Sequence, residues 1–452
     1  MIQPPLSAQD FLWLPVPLLV LTGLGLSLWL LRRRLDLHPE LLRKGMHIGT
    51  GLICLCLPLW FATPWPVLTL AGVALLALLG LRLLPADGQG LASVLHGVGR
   101  RSAGELYFPL SVVVLFLFSG DEVVFYLIPI LVLTLADAVA ALVGLRYGLS
   151  RYRAEEGYKS AEGSMAFFLV AFMATHVPLL LFTDMTRLDT LLLALIIGLL
   201  VMMLEAMAWR GLDNLFIPLG TWALLQTYHE ANSAALIEVL VVTVLLIVVV
   251  MVWRRRTTLT DSSLFAAILV GYAAWAVGGL LWLLPPLALF LTYTGLVRFG
   301  HQRVTHDVRA VGAITGAGLI CLLAQVLVPG ESFYVAWVAA FAAQLAMIGI
   351  ARIHGNTEHG HRGRIWAQAT LQGWGIVVVP TTLLGSSGAE VWQYLLGGAL
   401  LTGLAAGLFQ HLQPQIENCP RDADRWWRQG LLGGLAALIA GILMFAGAPF
   451  WT

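Results

Sequence analysis

Charge is what this chain has least of. Asp, Glu, Lys and Arg make up 11% of its 452 residues, against 59% for the hydrophobic types, and the mean hydropathy is +0.85. A composition so poor in charge excludes a water-soluble globule for most of the length. Cysteine is scarce as well. Cys54, Cys56, Cys321 and Cys419 have neither metal-ligand spacing nor the framework of a disulfide scaffold, and are expected as packing residues. Strand-like alternation is absent, and no Walker-type loop, zinc motif or Ser-His-Asp arrangement occurs, so any phosphate chemistry must use another design. A formal net charge of +1 gives no reason to expect a nucleic-acid partner. The opening MIQPPLSAQD has no basic residue and RRR follows the first apolar run, the reverse of a signal peptide, so that run is expected to stay as a helix.

Long apolar runs are what the chain has instead. They recur from FLWLPVPLLVLTGLGLSLWLL to LLGGLAALIAGILMF, each long enough to cross about 30 Å of hydrocarbon. The expectation is an all-α fold, a polytopic transmembrane helical bundle with short loops and about sixteen helices, the weakest near 106–119, 213–228 and 262–278. Basic residues collect in alternate loops: Arg32 to Arg34 with Arg43 and Lys44, then Arg82, Arg100 and Arg101, then Arg146, Arg151, Arg153 and Lys159, then Arg210, then Arg254 to Arg256. The alternation continues through Arg298, Arg303 and Arg309, through Arg352, Arg362 and Arg364, and through Arg421, Arg425 and Arg428, whereas the intervening loops hold a single basic residue, Arg187. By the positive-inside rule the basic loops face the cytoplasm and both termini face outward, as expected for a protein of a bacterial inner (cytoplasmic) membrane. A change of composition at WRRRTTLTDSS divides the chain into residues 1–257, rich in polar clusters, and 258–452, mainly apolar with one His-rich loop.

Four segments of the first part, all on the basic-loop side, carry chemistry. RKGMHIGTG brings Arg43, Lys44 and His47 into a helix start, either as a snorkelling flank or as an anion site. HGVGRRSAGELYFP places Glu105 at another start, where it caps the helix or holds a metal or substrate hydroxyl. LADAVAALVGLRYGLSRYRAEEGYKSAEG sets Asp137 inside an apolar helix, where a charge needs a partner or water. On its face Ala140, Gly144 and Gly148 form a small-residue stripe, which alone reads as helix packing. Followed by Lys159, Ser160, Glu162 and Gly163, the stripe reads as room for a nucleotide, with Lys159 on phosphate and Asp137 with Glu162 on Mg²⁺ or another divalent cation. LEAMAWRGLDNLFIP ends one helix with Glu205 and begins the next with Asp213 and Asn214, a helix cap or further metal and substrate contacts.

Residues 43–228 resemble the CTP-dependent lipid-alcohol kinases, which include phytol kinase, dolichol kinase and a fungal-type diacylglycerol kinase, on RKGMHIGTG, GRRSAGELYFPL, DAVAALVGLRYG with GYKSAEGSMAFF, and EAMAWRGLDNLFIPL. The resemblance implies a CTP site at Asp137, Gly144, Gly148, Lys159, Glu162 and Gly163, and transfer of the γ-phosphoryl group of CTP to an isoprenoid alcohol drawn from the membrane. The roles expected are Arg43, Lys44 and Lys159 on phosphate, Asp137, Glu162 and Asp213 on metal, His47 as proton acceptor, Glu205 on metal or substrate, and Glu105 and Asn214 toward the substrate. A diacylglycerol kinase or cytidylyltransferase would use the same nucleotide, and a transporter or flippase would use Asp137 and Glu205 as a path. FLTYTGLVRFG, DVRAVGAITGAG and GLLGGLAALIAG give the second part a fainter resemblance to the membrane family of phytyl-phosphate kinases. AAFAAQLAMIGIARIHG has no carboxylate where that family has acidic residues, and His354, His359 and His361 are expected in a solvated loop.

Overall fold

A computed structural model of the chain describes residues 8–35, 37–83, 103–120, 122–155, 157–297, 306–356, 361–386, 390–413 and 423–445. Arg100, Arg101, Arg298, Arg303, His359, Cys419 and Arg421 of the sequence reading lie outside them. Among the described residues ten helices are long and apolar enough to cross a membrane, joined by the shorter apolar helices Pro64–Gly80 and Gly104–Phe118. These lengths mark an integral helical membrane protein. The chain divides into two compact units, Met1–Val241 and Val242–Thr452.

Unit 1 is built from α1 (Pro15–Arg34), α2 (Pro39–Leu55), α3 (Pro64–Leu83), α4 (Gly104–Phe118), α5 (Val123–Tyr147), a hairpin of β1 (Arg151–Ala154) and β2 (Gly157–Ser160), α6 (Ala161–Phe182), α7 (Arg187–Met207) and α8 (Asp213–Tyr228). The hairpin corrects the expectation that strand character is absent. β1 and β2 pair antiparallel with Tyr152 opposite Lys159, and strands of four residues are too short to leave an alternating hydrophobic signature. Helix starts follow local chemistry. Ser160 caps α6 by accepting a bond from the Gly163 amide at 3.1 Å, and Thr186 caps α7 by accepting one from Asp189 at 3.2 Å.

Within α5 the backbone widens to a π-helix over Val132–Ala136, directly before Asp137. Pro129, one turn earlier, cannot donate a backbone bond, which loosens the ladder there. π-Helical turns concentrate at functional sites. α2 crosses this turn closely: a Cβ built on Gly51 would come 2.0 Å from Thr134 Oγ1. Thr134 is fully buried and, being β-branched, cannot swing aside. Gly51→Ala is therefore expected to lower stability by about 1–3 kcal/mol through overpacking, measured as a lower thermal midpoint in detergent.

α9 (Ser233–Trp253) carries the boundary between the units. The sequence division fell later, at residue 257, but Leu246, Val249 and Val250 line a cavity of unit 2, which accounts for the break inside the helix. Unit 2 continues with α10 (Asp261–Val297), α11 (Val308–Leu327), α12 (Tyr334–Asn356), α13 (Arg362–Gly373, then a π-turn Trp374–Val378 and Val379–Gly385), α14 (Glu390–Leu412) and α15 (Ala423–Phe445). α10 breaks at Gly278 and Gly279, where Gly279 has φ of 66°, a left-handed conformation that only glycine adopts cheaply. The alanine-rich α12 is the centre of this unit. Trp337 and Phe341 are almost completely buried, and the Trp337 indole donates to the Trp282 carbonyl at 3.0 Å. Gln344, also buried, donates to the Gln429 carbonyl at 2.9 Å, which gives its amide nitrogen a partner where water is excluded. His361 is exposed at the start of α13. Cys54, Cys56 and Cys321 are free thiols.

Candidate functional site

Of the polar residues singled out in unit 1, Glu105, Glu205, Asp213 and Asn214 sit at helix ends and Lys159 on the hairpin, whereas Asp137 lies inside α5 directly after its π-turn. Lys44, in the second turn of α2, donates to Asp137 Oδ2 of α5 at 2.6 Å. Both side chains are buried, at 3% and 9% exposure, so the pair is desolvated, and each charge depends on the other. His47, one turn further along α2, lies with Nε2 3.0 Å from the Leu133 carbonyl of the π-helix and 3.4 Å from Asp137 Oδ2. A carbonyl oxygen only accepts, so Nε2 carries the proton, and in the neutral ring Nδ1 is left with its lone pair. The Phe108 ring of α4 packs edge-on against the imidazole at 5.6 Å.

A second ion pair forms on the hairpin. Lys159 Nζ donates to Glu205 Oε1 at 2.6 Å and also bonds the Glu205 carbonyl, joining β2 to the last turn of α7. Burial opposes the Lys159 charge, but the Glu205 carboxylate outweighs it, with Tyr152 and Asp213 adding to the effect, and raises the lysine pKa. Arg43 is half-exposed and bonded to Glu40 through two contacts of 2.6 and 2.9 Å. Partial burial lowers its pKa, whereas Glu40, Asp137 and Asp213 raise it further. The Arg43 hydrogen bond in turn holds Glu40 below the usual carboxylate range. Asp213 therefore acts on cations of both α2 and β2, so the two ion pairs share one electrostatic neighbourhood.

The α7–α8 turn fixes Asp213. It passes through Arg210 at φ of 53° and Gly211 at φ of 85°, and a left-handed non-glycine residue is the kind of local strain that gathers at functional sites. The Ala103 amide donates to the Arg210 carbonyl at 2.9 Å, and the Asn214 side-chain amide donates to the Gly104 carbonyl at 2.9 Å. Asn214, expected toward the substrate, thus ties α8 to the start of α4. Glu105 follows there, half-buried in the first turn.

Other expected contacts are placed differently. Both Glu162 oxygens accept from the Ser150 amide, at 2.9 and 3.2 Å, so its carboxylate fastens the hairpin base and is not brought to Asp137. Gly144 and Gly163 lie at the crossing of α5 with α6, where a Cβ on Gly163 would meet the Ala140 carbonyl at 3.0 Å and the Gly144 Cα at 3.3 Å; Gly148 ends α5, where a Cβ would meet the Gly144 carbonyl of the same helix at 2.2 Å. Close backbone approach is one role that these glycines serve. Among the described residues no group of three or more His, Cys, Asp and Glu converges to hold a metal. Sequence reasoning missed two features: the Leu133 carbonyl that orients His47, for which a proline eight residues before an intramembrane Asp is a signal, and the pairing of Lys44 with Asp137.

These features define an integral membrane protein with one buried and one part-buried ion pair in the same unit. The chain is 37% identical over 198 residues to the phytol kinase of Synechocystis sp., a match covering 42% of this chain and 81% of that relative. Over that segment it belongs to the phytol/dolichol kinase-like family. No protein-family model matches the chain, and no solved structure matches it.

Proposed function

We propose that unit 1 is a CTP-dependent kinase that phosphorylates an isoprenoid alcohol, of phytol or geranylgeraniol type or a longer polyprenol, at the cytoplasmic face of the membrane. One observation carries the reading: Lys44–Asp137 and Lys159–Glu205, drawn together with Asp213 from three of the four motif segments, share one neighbourhood in a chain of this kinase family. The nucleotide rests on the motif resemblance, the acceptor on the phytol kinase relative, and the face on the distribution of basic loops.

Phosphoryl transfer asks a protein mainly for positioning and charge neutralisation. Lys159, Lys44 and Arg43 supply the cations for phosphate oxygens. His47 offers Nδ1 as acceptor for the alcohol proton, because Nε2 is engaged by the Leu133 carbonyl. The hard oxygen donors Asp137 and Asp213 suit Mg²⁺, which takes one or two carboxylates and fills its shell from water and substrate phosphates. Such an ion supplies further neutralisation of phosphate charge when bound. Glu205 positions Lys159, and Glu162 and Asn214 hold the hairpin and the α8 start.

With the purified full-length protein, γ-labelled CTP is expected to label lipid in the presence of phytol or geranylgeraniol, and labelled ATP at least about tenfold less. Equal transfer from ATP would reject the nucleotide assignment, and transfer to diacylglycerol alone would reject the acceptor.

A further inference from the structure

Of the 26 lysines and arginines in the sequence, only Lys44 and Lys159 are lysines. Both are committed to carboxylates of unit 1, each across 2.6 Å. An arginine presents a flat fork, whereas an ammonium places three donors around one nitrogen. On Lys159 two of them go to Glu205, one to Oε1 at 2.6 Å and one to the main-chain carbonyl. The third is left for an incoming phosphate oxygen, and its direction follows from where the lysine stem enters.

That stem grows from a four-residue strand in a two-stranded hairpin. Two paired strands alone are marginally stable in water, so this hairpin takes its position from its anchors. Its base is fastened by the Ser150 amide to Glu162 at 2.9 Å and by the Ala161 amide to the Ser150 carbonyl at 2.9 Å. Further along, Tyr152 stands directly opposite Lys159 in the ladder, so both side chains leave the same face. The Tyr152 hydroxyl shares a hydrogen bond of 2.7 Å with the hydroxyl of Ser164, in the first turn of α6. Ser164 follows Gly163, which sits in the tight crossing of α5 with α6, so its hydroxyl is a fixed post. Burial opposes the Lys159 charge, and Tyr152 follows Glu205 among the groups that raise the lysine pKa, in keeping with a phenol close to the ammonium.

We infer that Tyr152, braced by Ser164, is a positioning residue for Lys159, holding the hairpin face and the lysine stem so that the third ammonium proton is aimed at phosphate. The inference rests on the phosphoryl-transfer reading of unit 1. Glu205 fixes one side of the ammonium, and the brace fixes the strand from which it comes. Tyr152 therefore acts through Lys159 and not on the phosphate itself.

The test uses the full-length protein in detergent and two readouts. In transfer from γ-labelled CTP to phytol, Tyr152→Phe and Ser164→Ala are each expected to lower kcat about three- to tenfold with KM nearly unchanged, the scale of one lost hydrogen bond. The double variant should fall no further, because either substitution breaks the same bond, and Ser164→Thr should keep most of the rate. In a Lys159→Ala background Tyr152→Phe should change nothing, as expected of a group that works only through the lysine. A Tyr152→Phe loss that multiplies with the Lys159→Ala loss overturns the inference, as does a wild-type rate in Tyr152→Phe. The second readout needs no activity: acylation of side-chain amines by a water-soluble reagent, followed by mass spectrometry of the peptide containing Lys159. Lys44 is 3% exposed and Lys159 27%, so the reagent reports on Lys159, and Tyr152→Phe should speed its acylation about threefold or more. Absence of transfer in the wild type would remove the reaction, and the acylation rate would still decide whether Tyr152 holds Lys159: a faster rate supports the brace and an unchanged rate overturns it.

Discussion

Lys44→Met is expected to lower the stability of the protein by about 3–5 kcal/mol, because it leaves the Asp137 carboxylate buried with its principal countercharge gone. The Lys44–Asp137 bond is 2.6 Å long, and neither side chain has more than 9% exposure. His47, at 3.4 Å from the same oxygen, is a poorer partner, since its Nε2 already serves the Leu133 carbonyl. The loss should appear as a fall of roughly 10 °C in the thermal midpoint in detergent. Replacing both partners, Lys44→Met with Asp137→Leu, should recover most of that stability, since an apolar pair of similar volume removes the unpaired charge. The double variant should still be inactive, which separates the structural contribution of the pair from its chemical one. A Lys44→Met midpoint within a degree of wild type would mean that Asp137 does not depend on Lys44.

Lys159→Ala is expected to lower the turnover number by about 10²–10³-fold, the scale on which removal of one charge-stabilising group slows such reactions. Lys159 reaches its place from a four-residue strand, is 27% exposed, and meets the 12%-exposed Glu205 across a 2.6 Å bond. A lysine held charged at the edge of a polar site is suited to phosphate, and its strand anchors little of the apolar core. The thermal midpoint should therefore move much less than in Lys44→Met. Glu205→Gln keeps the lysine but loosens its placement, and is expected to fall between wild type and Lys159→Ala. A Lys159→Ala protein with unchanged turnover and a raised KM would place the lysine in binding alone.

Much of this arrangement is legible in the sequence, unevenly. Apolar runs announce helices because crossing hydrocarbon requires them, and Gly278-Gly279 separates two expected helices at the observed break in α10. The hairpin was hidden because paired four-residue strands with mixed exposure carry no period. The polar residues announced themselves by type, an Asp in an apolar helix and a Lys and Glu three apart at a helix edge, but their partners did not. Asp137 pairs with a lysine 93 positions away, and Lys159 with a glutamate 46 positions away, separations over which no local pattern operates. Glu162 and the glycines show the converse. Their spacing suits a nucleotide, and the structure adds that Glu162 serves the Ser150 amide and that Gly144 with Gly163 closes a helix crossing, roles that depend on which backbone comes near.

The central claim, that Asp137 and Lys159 belong to one phosphoryl-transfer site, is tested most directly by the transfer of label from γ-labelled CTP to phytol in purified full-length protein, with wild type, Asp137→Asn and Lys159→Ala run side by side. Labelled lipid from the wild type, reduced at least about a hundredfold in each variant, is the predicted result. Undiminished transfer in both variants, or no transfer from the wild type to phytol or to any other alcohol, would contradict it.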